Sequence, residues 1–260
     1  MEQYIAASVR MVKLFSDFTA GGHNVLILPN GKIVFLAGAR LAWPHSAFFI
    51  VRFNPNGTPD SSFGMNGFGD TIYFNDAFAS SAIALQNDGK IIVAGSAGAT
   101  EGDGSYYEML RLNADGTLDE GFGSKGRVIT FHVWDWVHAF AVAVQPDGKI
   151  IQAGDRYVRD DFDFALVRHK SSGDLDSSFR IDGIASTDFA FHKDDRIQSI
   201  AIQSDAKIVA AGQSGDGIFG THDFAVARYT QNGQADSSFG RKGRTTTDFA
   251  NGGDSGDISY

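Results

Sequence analysis

The stretch LQNDGKIIVAG, Leu85 to Gly95, reads as the end of one strand, a tight Asp-Gly turn and a second strand. It returns as LPNGKIVFLAG (Leu28 to Gly38), VQPDGKIIQAG (Val144 to Gly154) and IQSDAKIVAAG (Ile202 to Gly212). The lysines Lys32, Lys90, Lys149 and Lys207 stand 58, 59 and 58 residues apart. A period this regular means tandem copies of one supersecondary unit.

Working outward, each copy reads as four short strands. The first alternates into the turn, as in AVAVQPDG, and the second is the KIIVAG type. The third is DFALVRH (Asp163 to His169) with its relatives DFAVARY and FFIVRF. A fourth follows a Phe-Gly-x-x-Gly turn, as in GRVITF. Alternation with turn residues at these intervals predicts antiparallel strands, and no stretch holds a 3.6-residue period of useful length. Four-stranded units in tandem predict an all-β β-propeller, in which radial packing of the blades protects the sheet edges. The expectation is one domain over residues 1–260, with four full repeats and partial repeats at both ends. KLFSDFTAGG (Lys13 to Gly22) matches TTTDFANGG (Thr245 to Gly253). Joining the ends would complete a fifth blade, so the expected ring is five-bladed and closed by both termini. The alternatives are a fragment of a longer propeller, or pairing of terminal strands between chains to give an oligomer.

The motifs resemble the delta-60 repeat family, bacterial tandem repeats taken to form β-propellers. The resemblance rests on Asp147-Gly148-Lys149, Ala153-Gly154, Asp163-Phe164-Ala165, Leu118-Asp119, Phe122-Gly123 and their counterparts, from about Phe15 to Asp257. It implies the architecture and carries no established chemistry.

Composition narrows the function classes. Lys and Arg number 22 against 31 Asp and Glu, a net charge of -9, so a nucleic-acid partner, which needs a basic patch, is not expected. No apolar run reaches membrane-span length, so no membrane insertion is expected. With 0 cysteines there is neither a disulfide nor a thiolate metal site. The N-terminus MEQYIAASVRMVKLF lacks a signal-peptide core; an extracellular or cell-surface location is the expectation if a leader has been removed.

A second recurring stretch, NADGTLDEGFGSKG (Asn113 to Gly126), has counterparts beginning at Asn54, Lys170 and Thr230. Its Asn and Asp spacing suggests a calcium loop, but Lys170 cannot ligate a cation at the first position. A turn whose Gly takes positive φ is the better reading. Arg52, Arg111, Arg168 and Arg228 recur with Asp60, Asp119, Asp176 and Asp236, which predicts one structural ion pair per blade.

The loops after strands two and four do not recur, and in a blade those loops share one face. They hold all three tryptophans and six of the seven histidines. A frame residue should recur and a site residue need not, so this face is the expected working face. The expected ligand is a small molecule or glycan. Trp43, His45, Tyr106, Tyr157, Arg156, Trp134, Trp136 and His138 would bind it, aromatic rings stacking on the sugar and polar neighbours bonding its hydroxyls. The rival is a glycosidase, which needs two carboxylates across one bond; its candidates are Glu101, Asp103, Asp135, Asp155 and Asp160. The His132-x5-His138 spacing is no recognised ligand pair, so neither metal nor cofactor is expected. The GDSG run at Gly253 to Gly256 and the GDGIFG run at Gly215 to Gly220 lack the contexts their chemistries require.

Overall fold

A computed structural model describes residues 20–40, 46–70, 72–74, 77–98, 104–130, 136–158, 160–190, 193–215 and 222–247. Among these, every regular element is a strand. In chain order they are β1 (Ala20–Ile27), β2 (Ile33–Arg40), β3 (Ser46–Phe53), β4 (Ile72–Phe74), β5 (Ala77–Leu85), β6 (Ile91–Gly98), β7 (Ser105–Leu112) and β8 (Arg127–Thr130). They continue as β9 (Val137–Val144), β10 (Ile150–Val158), β11 (Asp161–His169), β12 (Ile184–Thr187), β13 (Asp194–Ile202), β14 (Ile208–Gly215), β15 (His222–Tyr229) and β16 (Arg244–Thr247). The strands form four antiparallel four-stranded sheets, each a run of sequential neighbours. Four blades of a β-propeller are therefore present among the described residues. Lys13 to Phe18, expected in a fourth-strand position, lies outside them.

Contacts divide the chain into two compact units, Met1–Trp134 and Asp135–Tyr260. Unit 1 holds β1–β4 and β5–β8; its core joins Val34, Leu36, Phe48 and Ile50 to Ile83, Val93, Leu110 and Leu112. Unit 2 holds β9–β12 and β13–β16; its core joins Ile151, Phe164 and Leu166 to Ile197, Ile208 and Tyr229. Strand alternation explains both cores, since every second residue faces the neighbouring sheet.

The recurring residues build one frame four times. Asp60 takes Arg52 Nε at 2.6 Å and Lys32 Nζ at 2.7 Å. Asp119 takes Arg111 and Lys90, both at 2.7 Å. Asp176 takes Arg168 at 2.9 Å and Lys149 at 3.1 Å, and Asp236 takes Arg228 at 2.8 Å and Lys207 at 3.2 Å. Each guanidinium also lies over the following Phe ring: 4.4 Å for Arg52 on Phe63, 4.4 Å for Arg111 on Phe122, 4.6 Å for Arg168 on Phe179 and 4.8 Å for Arg228 on Phe239. Hydrogen bonds from Lys32, Ser62 and Arg52 outweigh the opposing effect of burial and hold the Asp60 carboxyl well below the usual carboxylate range. Breaking such a buried pair from one side leaves an uncompensated charge.

Phe63, Phe122 and Phe179 are fully buried. The next repeat's turn glycine closes over the ring: a Cβ on Gly116 would lie 2.9 Å from Phe63, and one on Gly233 2.7 Å from Phe179. Both glycines also have positive φ, +92° and +79°. Phe239 is only half-buried.

The turn stretch is frame as well. Asp115 Oδ1 accepts from Thr117 N at 3.0 Å and Thr117 Oγ1 at 2.7 Å, and Asp119 is engaged by its two cations. Those carboxylates already have partners within the fold, as a turn requires.

The innermost strand of each blade carries a register shift. In β9 it falls opposite Ala153 and Gly154, and in β13 between Ile197 and Ser199. The glycine of the AG dipeptide sits against it: a Cβ on Gly154 would lie 1.8 Å from the His138 carbonyl oxygen, and one on Gly212 1.9 Å from that of Arg196. Only glycine permits that approach, which is why the AG dipeptide recurs.

Candidate functional site

Asp155 to Phe162, the stretch after the second strand of the third repeat and so expected as one of the non-recurring loops, is mostly strand. Asp155 to Val158 continue β10, and Asp161 opens β11 opposite Val158. Asp160, with φ of 79°, sits in the tight connection between them. The pairing decides which side chains meet. His138 lies opposite Asp155, Asp155 opposite Phe164, and Tyr157 opposite Phe162. These residues share one face of the sheet, while Arg156 stands on the other, opposite Val137 and Asp163.

Asp155 is the centre of this group and is 0% exposed. Its Oδ1 accepts from His138 N at 3.1 Å and lies 2.7 Å from His138 Nδ1. Arg196 Nε of β13 lies 3.7 Å from Asp155 Oδ2, and Arg196 Nη2 lies 3.5 Å from Asp194 Oδ2. The Arg196 guanidinium covers the Phe162 ring at 4.8 Å. Phe162 also meets His138 at 5.4 Å and Tyr157 edge-on at 5.1 Å. Tyr157 N donates to the Trp136 carbonyl at 2.7 Å, which fixes Trp136 beside this cluster. Trp136 and Tyr157 are 49% and 42% exposed. A buried carboxyl group is thus attended by two basic side chains behind a rim of exposed aromatic surface. Such a site can stack a flat apolar ring and exchange hydrogen bonds with polar groups on its edge.

A second cluster lies in the same unit. One ligand oxygen each from Asp163 (β11), Asp188 (after β12) and Asp195 (β13) fall within 4.8 Å of one another. Asp188 is exposed, Asp163 half-buried and Asp195 fully buried. Asp195 Oδ2 accepts from Phe189 N at 2.7 Å. Burial pushes the Asp195 carboxyl up to about 7; the Phe189 N–H and the Ser214 hydroxyl oppose the shift, and the charges of Asp188 and Asp163 add to it.

Segments 28–63, 86–122, 145–179 and 203–239 each match the family described as "Domain of unknown function (DUF5122) beta-propeller". Together they exceed half of the chain. The chain belongs to this family. No curated protein matches the sequence. Among solved structures, the DUF5122 chain is similar to the "Hadza microbial sialidase Hz136", at 10% identity and a TM-score of 0.53 over 82% of this chain and 44% of that one. A mannose phosphorylase from Leishmania mexicana gives 11% identity and a TM-score of 0.47 over 82% of this chain and 65% of that one. A GH43 endo-arabinanase from Bacillus licheniformis gives 11% identity and 0.45 over 86% and 78%. The DUF5122 chain therefore spans less than two thirds of the first two. The sialidase likeness is one of fold.

Of the residues singled out in the sequence, Trp136, His138, Asp155 and Tyr157 come together. Arg156 is on the far face of β10 and Asp160 is in the turn beyond it. Tyr106 belongs to unit 1, where it pairs with Ala97 and packs against the core. Trp43, His45, Glu101, Asp103, Trp134 and Asp135 lie outside the described residues. Sequence reading did not select Phe162, Arg196, Asp163 or Asp188. A signal for Arg196 existed: it occupies the position in β13 that His138 occupies in β9, each one residue before the register shift and opposite the residue after the AG dipeptide.

Proposed function

We propose that this DUF5122 propeller is a ligand-binding module directed to carbohydrate, with its site at the His138–Asp155–Arg196 cluster of unit 2. The observation that carries the reading is the pairing of a buried, doubly attended carboxylate with the exposed Trp136 and Tyr157 rings. A sugar presents an apolar face and a ring of hydroxyls, and this combination answers both. The sialidase of similar fold acts, by its name, on a carbohydrate, which agrees with the reading without identifying a ligand. Trp43, His45, Tyr106 and Trp134, which fall in unit 1, are proposed as glycan contacts in their own right and not as part of this cluster, and Arg156, on the far face of β10, stands apart from it. The proposal also includes the likeness to delta-60 repeats and a single domain of five blades with the fifth assembled from the terminal segments.

The test is a glycan array probed with the full chain and with Trp136→Ala, Tyr157→Ala and Asp155→Asn. Binding by the parent that falls at least about tenfold in the two aromatic variants, with unchanged circular dichroism, is the expected result. Binding that ignores all three substitutions, or no binding to any glycan, overturns it. Release of product from chromogenic glycosides, lost in Asp155→Asn, would instead identify a glycosidase.

A further inference from the structure

We infer that Asp163, Asp188 and Asp195 form a binding site for one hard divalent cation, calcium by preference. Three carboxylates bring one oxygen each within 4.8 Å of the others, and all donors are oxygen, the set that calcium and magnesium take. Proximity of acids is not by itself a site. The deciding observation concerns Asp195. It is 0% exposed, yet its Oδ1 has no hydrogen-bond partner. A buried carboxylate oxygen left without a donor is costly, and a cation is one means of satisfying it.

The frame gives no reason for an acid there. Asp195 pairs with Ser214, and its counterpart Val137 pairs with Arg156 at the same step before the register shift in unit 2. In unit 1 the counterparts are Ala20, opposite Ala39, and Phe78, opposite Ala97. Three blades manage this position with an apolar residue, so the acid is no part of the recurring frame, and its bond from Phe189 N occupies Oδ2 while leaving Oδ1 over. Asp195 is approached by Asp163 from β11, Asp188 from the β12–β13 connection and Ser214 from β14. Tyr229 of β15 lies within electrostatic reach, its hydroxyl 2.6 Å from Thr187 Oγ1, and Arg244 of β16 lies beyond it, over the Phe189 ring at 5.8 Å. The exposed Asp188 gives the cation a route from solvent, and coordination positions left over would take water. The inference does not depend on the sugar site.

The experiment takes the full chain after chelator treatment and titrates CaCl2 by calorimetry, with thermal midpoints recorded alongside. The expected result is one calcium per chain and a raised midpoint that matched ionic strength in NaCl does not reproduce. Asp188→Asn, an exposed substitution, should lose most of the shift, and Asp195→Asn all of it. Asp115→Asn, in the recurring turn, should keep it. No calcium heat in the parent, an undiminished response in Asp188→Asn, or a response lost in Asp115→Asn would each overturn the inference. MgCl2 run in parallel separates a calcium-selective site from a general divalent one, and a magnesium preference overturns the assignment of calcium.

Discussion

Units 1 and 2 share a frame and differ at the start of their innermost strands. One residue ahead of the pair that borders the shift, unit 1 pairs Gly21 with Gly38 and Ala79 with Ser96. Unit 2 pairs His138 with Asp155 and Arg196 with Gln213. Small residues stand in one unit where large polar or titratable residues stand in the other. The Lys–Asp–Arg–Phe arrangement, by contrast, recurs in both at nearly the same distances. The difference teaches where selection for folding stops: it holds the recurring turns fixed and leaves the strand starts open.

The strongest way to break this comparison is to attack the frame in both units. Phe63→Ala and Phe179→Ala each remove a fully buried ring, and each should cost about 3–5 kcal/mol by urea denaturation. Phe239→Ala should cost visibly less, since its ring is half-buried. Unequal losses for Phe63 and Phe179 would show that the two frames are not equivalent.

A smaller effect separates the units by pH. His169 is buried in unit 2 at the place held by Phe53 and Leu112 in unit 1, each opposite the first residue of the second strand. Burial pushes its imidazole down to about 4. The folded state therefore resists a proton that the unfolded chain accepts near pH 6.5. Stability from this group is complete above that value and is lost as pH falls from about 6.5 to about 4, by up to about 3 kcal/mol. His169→Leu should remove this acid sensitivity, and a parent whose stability is flat over that window would refute the assignment.

Next in size, Gly233→Ala forces both a positive φ and a Cβ 2.7 Å from the Phe179 ring; about 1–3 kcal/mol should be lost in thermal or chemical melts. Glycan binding, if present in the parent, should survive. The smallest effect belongs to Asp115→Ala, which gives up two exposed turn hydrogen bonds and should cost at most about 1 kcal/mol. A larger loss would mean that the turn carries more than local geometry.

The frame was legible because it recurs. Arg168 and Asp176 could be matched to Arg52 and Asp60 by spacing alone, and the ion pair followed from charge. His138, Asp155, Trp136 and Tyr157 were legible as a group because they break the recurrence, though the strands reach further into their segment than turn chemistry suggested. Arg196 and Asp195 were not separable by the same reading. They are consecutive in a variable stretch, and strand alternation sends one toward Asp155 and the other into the Asp163–Asp188 cluster. Neither the burial of Asp195 nor the cover of Phe162 by Arg196 exists until neighbouring sheets pack. Such contacts leave no periodic trace.

The glycine pressed against the innermost strand has an evolutionary consequence. Gly154 and Gly212 crowd the carbonyls of His138 and Arg196, so the backbone at those positions is set from outside and not by the side chain they carry. A lineage can therefore place residues of other size and charge at these positions without moving the backbone, provided that the buried Asp155, which His138 and Arg196 attend, changes with them. Both repeats of unit 2 offer such a position, and duplication of the repeat multiplies them. A chain built this way can change the side chains it presents by point substitution at a few addresses while keeping the same scaffold.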